Sequence, residues 1–458
     1  MKRRKTFASI TALCCFVVFF TPLFTACFNT VKKTFSEELK TYYAKELDLI
    51  EADSFGALNK VVYPDGTDGA LPVSKSFVSS VCEFANRTYS AFPKYSENFC
   101  FSPITLYDNF TVLELSTVNP AASGVLNALL GLDRETREQE YLNAYKNNFF
   151  SNASGTLQRF KGMFLTNEFK ANDEYIAALT KYYCEAFKLD FLKADDIKKM
   201  LGWVDERVQD KGFFKANDFN ITEDTVFMLF ATMYFNNRWA TAFNTNKTYT
   251  DTFYLSDKTT ATASYMQHSY ATTDVYDYGD YVSVYDYYRN GMKIKYLVAK
   301  DEAQDDVFKL TEGVNVFKDD AARKKTTLDN GAYDRYIVNL SVPKFKADGL
   351  MNLKDLCDNL GLSVLFDKTV NSFGYIFDDA KLNANVYLSF VLQKNKITLN
   401  EDGTVIKSVS VAGGDKAMSV EPSVEKTINV VLNKPFIYVV YDRNDLPVFI
   451  GRIDNPKY

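Results

Sequence analysis

Residues 401–420 read EDGTVIKSVSVAGGDKAMSV. Their side chains alternate as those of a strand do, yet the run closes on a glycine pair and a polar stretch, as a loop does. On a period of two, Thr404, Ile406, Ser408, Ser410 and Ala412 share one face, and Val405, Lys407, Val409 and Val411 share the other. The first set is small apart from one isoleucine, and the charge of Lys407 falls on the second. No proline interrupts residues 403–421, so nothing blocks a hydrogen-bonded ladder. Such a segment is fitted both to join a sheet and to stay outside it.

The rest of the chain supplies a sheet of that kind. At 458 residues, with 47% hydrophobic and 24% charged residues, it has the composition of an ordinary globular protein with one large domain or two smaller ones. VSSVCEFANRTYSAF carries apolar residues at helical spacing, and ASGVLNALLGL reads as a helix closed by Gly131. DTVFMLFATMYFNNRW, RYIVNLSVPKF and VYLSFVLQKNKITL are rich in β-branched and aromatic residues and read as strands. NVVLNKPFIYVVYDRNDLPVFIGRI reads as two strands joined by a turn at residues 442–445. Helices dominate early and strands late, which predicts an α+β fold. Neither repeats nor low-complexity runs divide residues 74–458, favouring one domain.

Several function classes are disfavoured. Net charge is −5, and beyond the N-terminal cluster the basic residues are dispersed, so nucleic-acid binding is not expected. The chain has a single histidine, His268, and no G-x-S-x-G, H-E-x-x-H or G-x-x-x-x-G-K-[ST] run. A conventional hydrolase, a His-based metal site and a bound cofactor are therefore not expected, and His268 reads as a surface or packing residue.

Lys2, Arg3, Arg4 and Lys5 precede an apolar run broken by Pro22, the pattern of a secretory signal over residues 1–27. Its end, Leu23-Phe24-Thr25-Ala26-Cys27, resembles a bacterial lipobox, with Phe24 where a small aliphatic residue is usual. That resemblance implies lipidation of Cys27 and an extracytoplasmic, membrane-anchored protein. Residues 28–73 read as a tether ending in the turn-rich YPDGTDGALP. Cys82, Cys100, Cys184 and Cys357 lack C-x-x-C spacing and read as buried thiols, with no disulfide predicted.

Six runs in order, NFCFSPITL (98–106), FNNRWATAF (235–243), SVPKF (341–345), NEDGT (400–404), NKPFIYVVYD (433–442) and VFIGRIDNP (448–456), resemble the serpin family over nearly all of residues 74–458. The resemblance implies three β-sheets, eight or nine helices and an exposed reactive loop between NEDGT and NKPF. It implies an inhibitor rather than an enzyme, a monomer whose partner is a target protease of the serine or, second, cysteine class. The protease cleaves the loop, forms an acyl-enzyme and is carried along as the loop inserts into the central sheet, a strand addition that releases stored strain. Glu401, Gly403 and Thr404 fall in the hinge; Ile406, Ser408, Ser410 and Ala412 follow in the inserted strand.

The resemblance also marks departures. Where strong inhibitors of the family have small residues after the hinge, this chain has Ile406, Lys407, Ser408 and Val409. Ala231 and Gln393 stand where the family pattern places asparagine and histidine, while Ser102 and Thr105 remain, and Trp239 matches the tryptophan where the loop enters. The scissile bond is placed among Lys416, Ala417 and Met418 by family spacing from Glu401, and later by counting back from NKPF. A second function class stays open: a serpin-fold surface protein that binds a partner without inhibiting.

Overall fold

The computed structural model describes residues 55–458 apart from 66–70, 93–97, 273, 302, 304, 321–334, 379–381, 383 and 406–424. Eight α-helices occur among the described residues: α1 (Lys75–Ser90), α2 (Pro103–Glu114), α3 (Pro120–Leu130), α4 (Arg134–Asn147), α5 (Asp173–Lys181), α6 (Ala194–Val208), α7 (Val307–Leu310) and α8 (Lys354–Asn359). Their starts follow capping chemistry. The Ser74 hydroxyl accepts the Phe77 N–H, and Asn119 with Pro120 behind it opens α3. Gly131, at φ +65°, closes α3 in a conformation that disfavours a side chain.

The largest sheet contains β1 (Gly56–Ala57), β3 (Phe150–Asn152), β4 (Gly155–Thr166), β5 (Cys184–Leu189), β6 (Phe227–Arg238), β13 (Phe345–Asn352), β14 (Leu392–Asn400) and β15 (Gly403–Val405). Its order is β1-β5-β4-β6-β15-β14-β13, with β3 beside β4. β4 and β5 run parallel, and α5 makes the crossover that parallel strands require. A second sheet, in the order β2-β18-β17-β11-β10-β9, joins β2 (Phe99–Phe101), β9 (Val275–Asp277), β10 (Tyr281–Tyr287), β11 (Lys293–Ala299), β17 (Phe436–Tyr441) and β18 (Pro447–Ile453). The third, β16-β12-β8-β7, joins β7 (Tyr249–Tyr254), β8 (Thr260–Thr272), β12 (Arg335–Pro343) and β16 (Glu425–Val431). Three sheets with eight helices make the α+β fold that the sequence predicts.

α2 is buried at every position but Asn109 and packs against β6 and β18. It joins the largest and second sheets through one core. Between α2, α4 and β4 lies a buried polar cluster. The Lys161 amine donates to the Tyr141 hydroxyl at 2.9 Å, which donates to Asp108 at 2.6 Å, and Arg159 pairs with Asp108 at 3.2 Å. All four residues are buried. The four described cysteines are free, buried thiols, each pushed up to about 12 by burial.

The folded body begins earlier than the tether boundary at residue 73 predicts. Gly56 and Ala57 pair with Lys188 and Phe187, and the Leu58 N–H bonds the Ala186 carbonyl at 2.8 Å. Asn59 is gripped by Thr180, Cys184 and Ala186. Phe55 stacks on Phe187, and Tyr63 on Phe149. The cause is tertiary: β5 offers open backbone groups at a sheet edge, and a two-residue strand covers them. Strand β14 is shorter than VYLSFVLQKNKITL predicts, beginning at Leu392. Upstream, Val386 and Leu388 bond the segments around Phe373 and Leu365 instead.

Candidate functional site

Among the described residues β6 and β14 share no rung; β15 stands between them at one end and nothing pairs them below it. A two-residue turn, Glu401-Asp402, folds β14 back into β15, with the Asn400 side chain accepting the N–H groups of Asp402 and Gly403 at 3.1 and 3.3 Å. Gly403, Thr404 and Val405 pair with Asn400, Leu399 and Thr398 on β14, and with Arg238, Asn237 and Asn236 on β6. A Cβ on Gly403 would stand 2.1 Å from the Asn237 carbonyl oxygen, so only glycine fits there.

The entry of the slot is braced by aromatic rings. Trp239 stacks on Tyr288, with centroids 4.8 Å apart, and its indole N–H donates to the Asn400 carbonyl at 2.9 Å. The hydroxyls of Tyr288 and the fully buried Thr404 meet at 2.6 Å. Glu401 accepts from the Thr248 hydroxyl at 2.8 Å and pairs with Lys344 at 3.1 Å. Burial pushes its carboxyl up, but hydrogen bonds from its own backbone N–H, Thr248 and Lys344 outweigh this and hold it below the usual range.

Beneath β15 the gap opens into a cavity of about 450 Å³, lined by β6, β14 and α2. Phe227, Leu229 and Ala231 alternate along β6, line this cavity and are only half-buried. Thr232 and Asn109 line it too, each with a side-chain oxygen shut off from solvent and without a hydrogen-bond partner. Such orphans cost free energy until a partner arrives.

On the β14 bank, the Gln393 carbonyl accepts from the Ser102 N–H at 2.9 Å and from Asn395 at 2.7 Å. Its amide donates to the Ser102 carbonyl at 2.9 Å and to the Thr105 hydroxyl at 3.0 Å. Asn395 also donates to the Cys100 carbonyl at 3.1 Å. This amide pair grips the start of α2 from one strand only, because Ala231 on the opposite bank has no polar atom to answer it.

The structure thus brings Glu401, Gly403, Thr404, Trp239, Gln393, Ser102 and Thr105 to the two ends of one slot. Ile406, Ser408, Ser410, Ala412, Lys416, Ala417, Met418 and Cys27 lie outside the described residues. Sequence reasoning missed Asn395, whose signal was its i, i+2 spacing from Gln393; Lys344, inside the SVPKF run; and Tyr288, which nothing in the sequence singles out. His268 is a packing residue in β8: its ring stacks on Phe243, Nδ1 lies 2.9 Å from the Thr241 carbonyl, and Nε2 lies 3.1 Å from Asp286. No group of three metal-ligating side chains occurs among the described residues.

The family model for serpins, described as serine protease inhibitors, matches residues 79–456. Alpha-1-antiproteinase 2 of Equus caballus is 25% identical over 398 residues, covering 84% of this chain and 88% of the relative. The thermophilic serpin tengpin in its native state superposes with a TM-score of 0.70 at 19% identity, over 86% of this chain and 97% of that one. Thyroxine-binding globulin, solved in complex with thyroxine, superposes with a TM-score of 0.66 at 18% identity, over 84% and 100%. With its slot between β6 and β14 and a family match spanning most of its length, this chain belongs to the serpin family.

Proposed function

We propose that the protein inhibits serine proteases by offering residues 406–424 as bait and inserting the cut loop into the slot between β6 and β14. The observation that carries this reading is β15: three residues of the hinge already seated between the two strands, above the cavity that both strands line. Extending that register, each step forward along the loop moves one step back along both neighbours. Ile406 then comes opposite Ile397 and Phe235, Ser408 opposite Asn395 and Met233, and Ser410 opposite Gln393 and Ala231. The two serines meet the polar bank, and the isoleucine meets an apolar one.

The chemistry needs nothing from the chain beyond its loop. The protease's serine hydroxyl attacks a carbonyl carbon within the bait, here assigned to Lys416, Ala417 or Met418. The C–N bond breaks, the new amino terminus leaves with the downstream segment, and an ester joins the two proteins. On the order of ten new ladder hydrogen bonds, each worth about 0.5–1.5 kcal/mol net, release roughly 5–15 kcal/mol. Loss of one oxyanion-hole donor costs a protease about 3–4 kcal/mol. Insertion therefore suffices to distort the enzyme before water hydrolyses the ester, and the uncut form is held by a kinetic barrier.

The placement at the cell surface belongs to the same reading. It rests on the signal-like residues 1–27 and the lipobox-like Cys27, with residues 28–54 as tether and the serpin domain acting as a monomer. No helix among the described residues is long and apolar enough to cross a membrane.

Incubation with elastase-, chymotrypsin- and trypsin-type proteases should yield, with at least one of them, an adduct that survives denaturant and has the mass of protease plus cleaved inhibitor. Clean cleavage by all three without an adduct overturns inhibition. It would favour a binding role, for which Ile406 and Lys407 in the loop and the apolar Ala231 across from Gln393 speak. That role predicts no rise in melting temperature once the loop is cut.

A further inference from the structure

The edge of the largest sheet fixes where the chain enters the folded body. Gly56 on β1 pairs with Lys188 on β5, Lys188 with Leu165 on β4, and Leu165 with Phe227 on β6. One rung of the ladder therefore runs from the point of entry to the start of β6. The hinge sits at the other end of that strand, where Thr404 pairs with Asn237. Phe227 and Asn237 are ten positions apart, roughly 33 Å of strand. The chain thus enters the body at one end of the sheet and offers its bait at the other.

The entry is clamped. Asn59 is buried; its amide donates to the Thr180 hydroxyl and the Cys184 carbonyl, both at 2.9 Å, and its carbonyl accepts the Ala186 N–H at 2.7 Å. Phe55 stacks on Phe187 with centroids 5.6 Å apart. Past this clamp the chain runs along β5 toward the hinge end. Tyr63 stacks on Phe149, and Leu71 exchanges two hydrogen bonds of 2.9 Å with the Asn147 side chain. Those partners stand just before Phe150, which shares a rung with Leu157 and Phe235. With β1 undone, the next contacts with the body are therefore on the hinge half of the sheet.

In the inserted form proposed above, the register of the hinge gives the resting place of the cut end. Thr404 lies opposite Asn237, and each step forward takes one step back along β6, so Gly414 reaches the Phe227 rung, which is also the rung of Gly56. Lys416, Ala417 and Met418 then pass two to four positions beyond it. The acylated residue comes to the end of the sheet where the chain enters, four strand intervals or roughly 19 Å across from β1.

We propose that β1 and Asn59 are an orientation clamp for a membrane-held protein. They bring the tether in at the end of the sheet opposite the bait, so that the bait points away from the lipid and a trapped protease is held on the lipid side. This rests on the reading above of Cys27 as the lipid anchor and of the loop as an inserting strand. On average the entry point is the part of the body nearest the anchor, since every other part lies farther off by the body's own length. Residues 28–54 span at most roughly 90–100 Å, and a protease of about 200 residues is about 40 Å across, so the tether leaves room for the adduct.

The test couples the mature chain, from Cys27 onward, through that thiol to maleimide-phosphatidylethanolamine in phosphatidylcholine vesicles that also hold a rhodamine lipid; the other four cysteines are buried. A donor-labelled protease of the class that forms the adduct reports its distance from the lipid by energy transfer. It is measured first as a variant with alanine for the nucleophilic serine, docked on the uncut bait, and then as the covalent adduct. Trapping should carry the donor roughly 45 Å along the strand direction toward the lipid, and transfer should rise accordingly. In F55A/N59A this gain should be lost while the yield of adduct is unchanged. V62C on a C27S background keeps the clamp whole but attaches the lipid beyond it, at a side chain 78% exposed beside Tyr63, and should lose the gain too. An adduct that forms without a gain in wild type, or a full gain in either variant, overturns the orientation clamp and leaves inhibition standing. No adduct with any protease overturns inhibition and this proposal together. The anchor is checked apart from the geometry, by the mass of the chain extracted from the membranes of an expressing bacterium. A Cys27 without acyl groups overturns the membrane role whatever the vesicles show.

Discussion

Thr404 and Tyr288 meet through their hydroxyls at 2.6 Å, both side chains sealed from solvent, and this pair joins the first turned-back residues of the hinge to the second sheet. Tyr288 in turn lies flat against Trp239, which holds Asn400. Replacing Thr404 by valine keeps the shape and strands the tyrosine hydroxyl, at a cost of about 1–3 kcal/mol to every form in which β15 is seated. Replacing it by arginine puts an unpaired charge where no solvent reaches and expels β15. T404V should lower the melting temperature of uncut and cut protein alike. T404R should be cleaved without any rise in melting temperature and should form no adduct; a normal rise in T404R would show that Thr404 is not on the insertion path.

The Glu401–Lys344 pair predicts an acid-sensitive hinge. The Glu401 carboxyl lies lower in the folded protein than the ordinary value of about 4.3. A depressed acid contributes stability that is present above its unfolded value and lost as pH falls through its folded one. Melting temperatures between about pH 6 and pH 3 should therefore fall more steeply in wild type than in E401Q or K344M. Parallel curves would mean that the pair adds nothing to the uncut state.

How much of this was legible in the sequence depends on what each residue answers to. Strands β6, β12, β17 and β18 and helices α1 and α3 carry their apolar pattern in their own residues and stand where the sequence places them. β1 carries none: Gly56 and Ala57 form a strand only because β5 presents an open edge. The hinge turn is written locally, in the side chain of Asn400 and in Gly403, whose missing Cβ makes room for the Asn237 carbonyl. The slot is not, because a gap is a relation between two strands more than 150 residues apart. Ala231 shows in the sequence as a missing asparagine, but that Gln393 and Asn395 bond each other, Ser102, Thr105 and Cys100 rather than the facing strand requires both banks in place.

Lys161 offers a test of the body that supports the slot. Burial drives its amine down to about 8, with Asp108 opposing. A base depressed below its ordinary value of about 10.4 favours folding when neutral; that stability is present above pH 10.4 and is lost as pH falls through 8. At pH 7 the charged amine costs roughly 3 kcal/mol, less about 1 kcal/mol returned by its contact over the Tyr145 ring, 3.9 Å away. Tyr141 keeps its bond to Asp108 if the amine is removed. K161M should therefore be more stable than wild type at pH 7 by about 1–3 kcal/mol in denaturant titration, and the advantage should close above pH 10. A K161M protein that is weaker at pH 7 would show that the cluster needs the cation.

Lys407 separates insertion from mere exposure of the loop. In the register set by Thr404 opposite Leu399, it comes opposite Lys396 on β14, and like charges directly across a ladder oppose each other. Asp210 already answers Lys396 at 3.0 Å, so the incoming amine competes for a carboxylate that is taken. If the loop enters in this register, K407E finds Lys396 as a partner, and its cut form should melt higher than cut wild type while the uncut forms melt together. A register shifted by one residue would instead point position 407 at α2, where K407E would bury a carboxylate and abolish the gain in melting temperature. The sign of the change in the cut protein alone therefore reads the register.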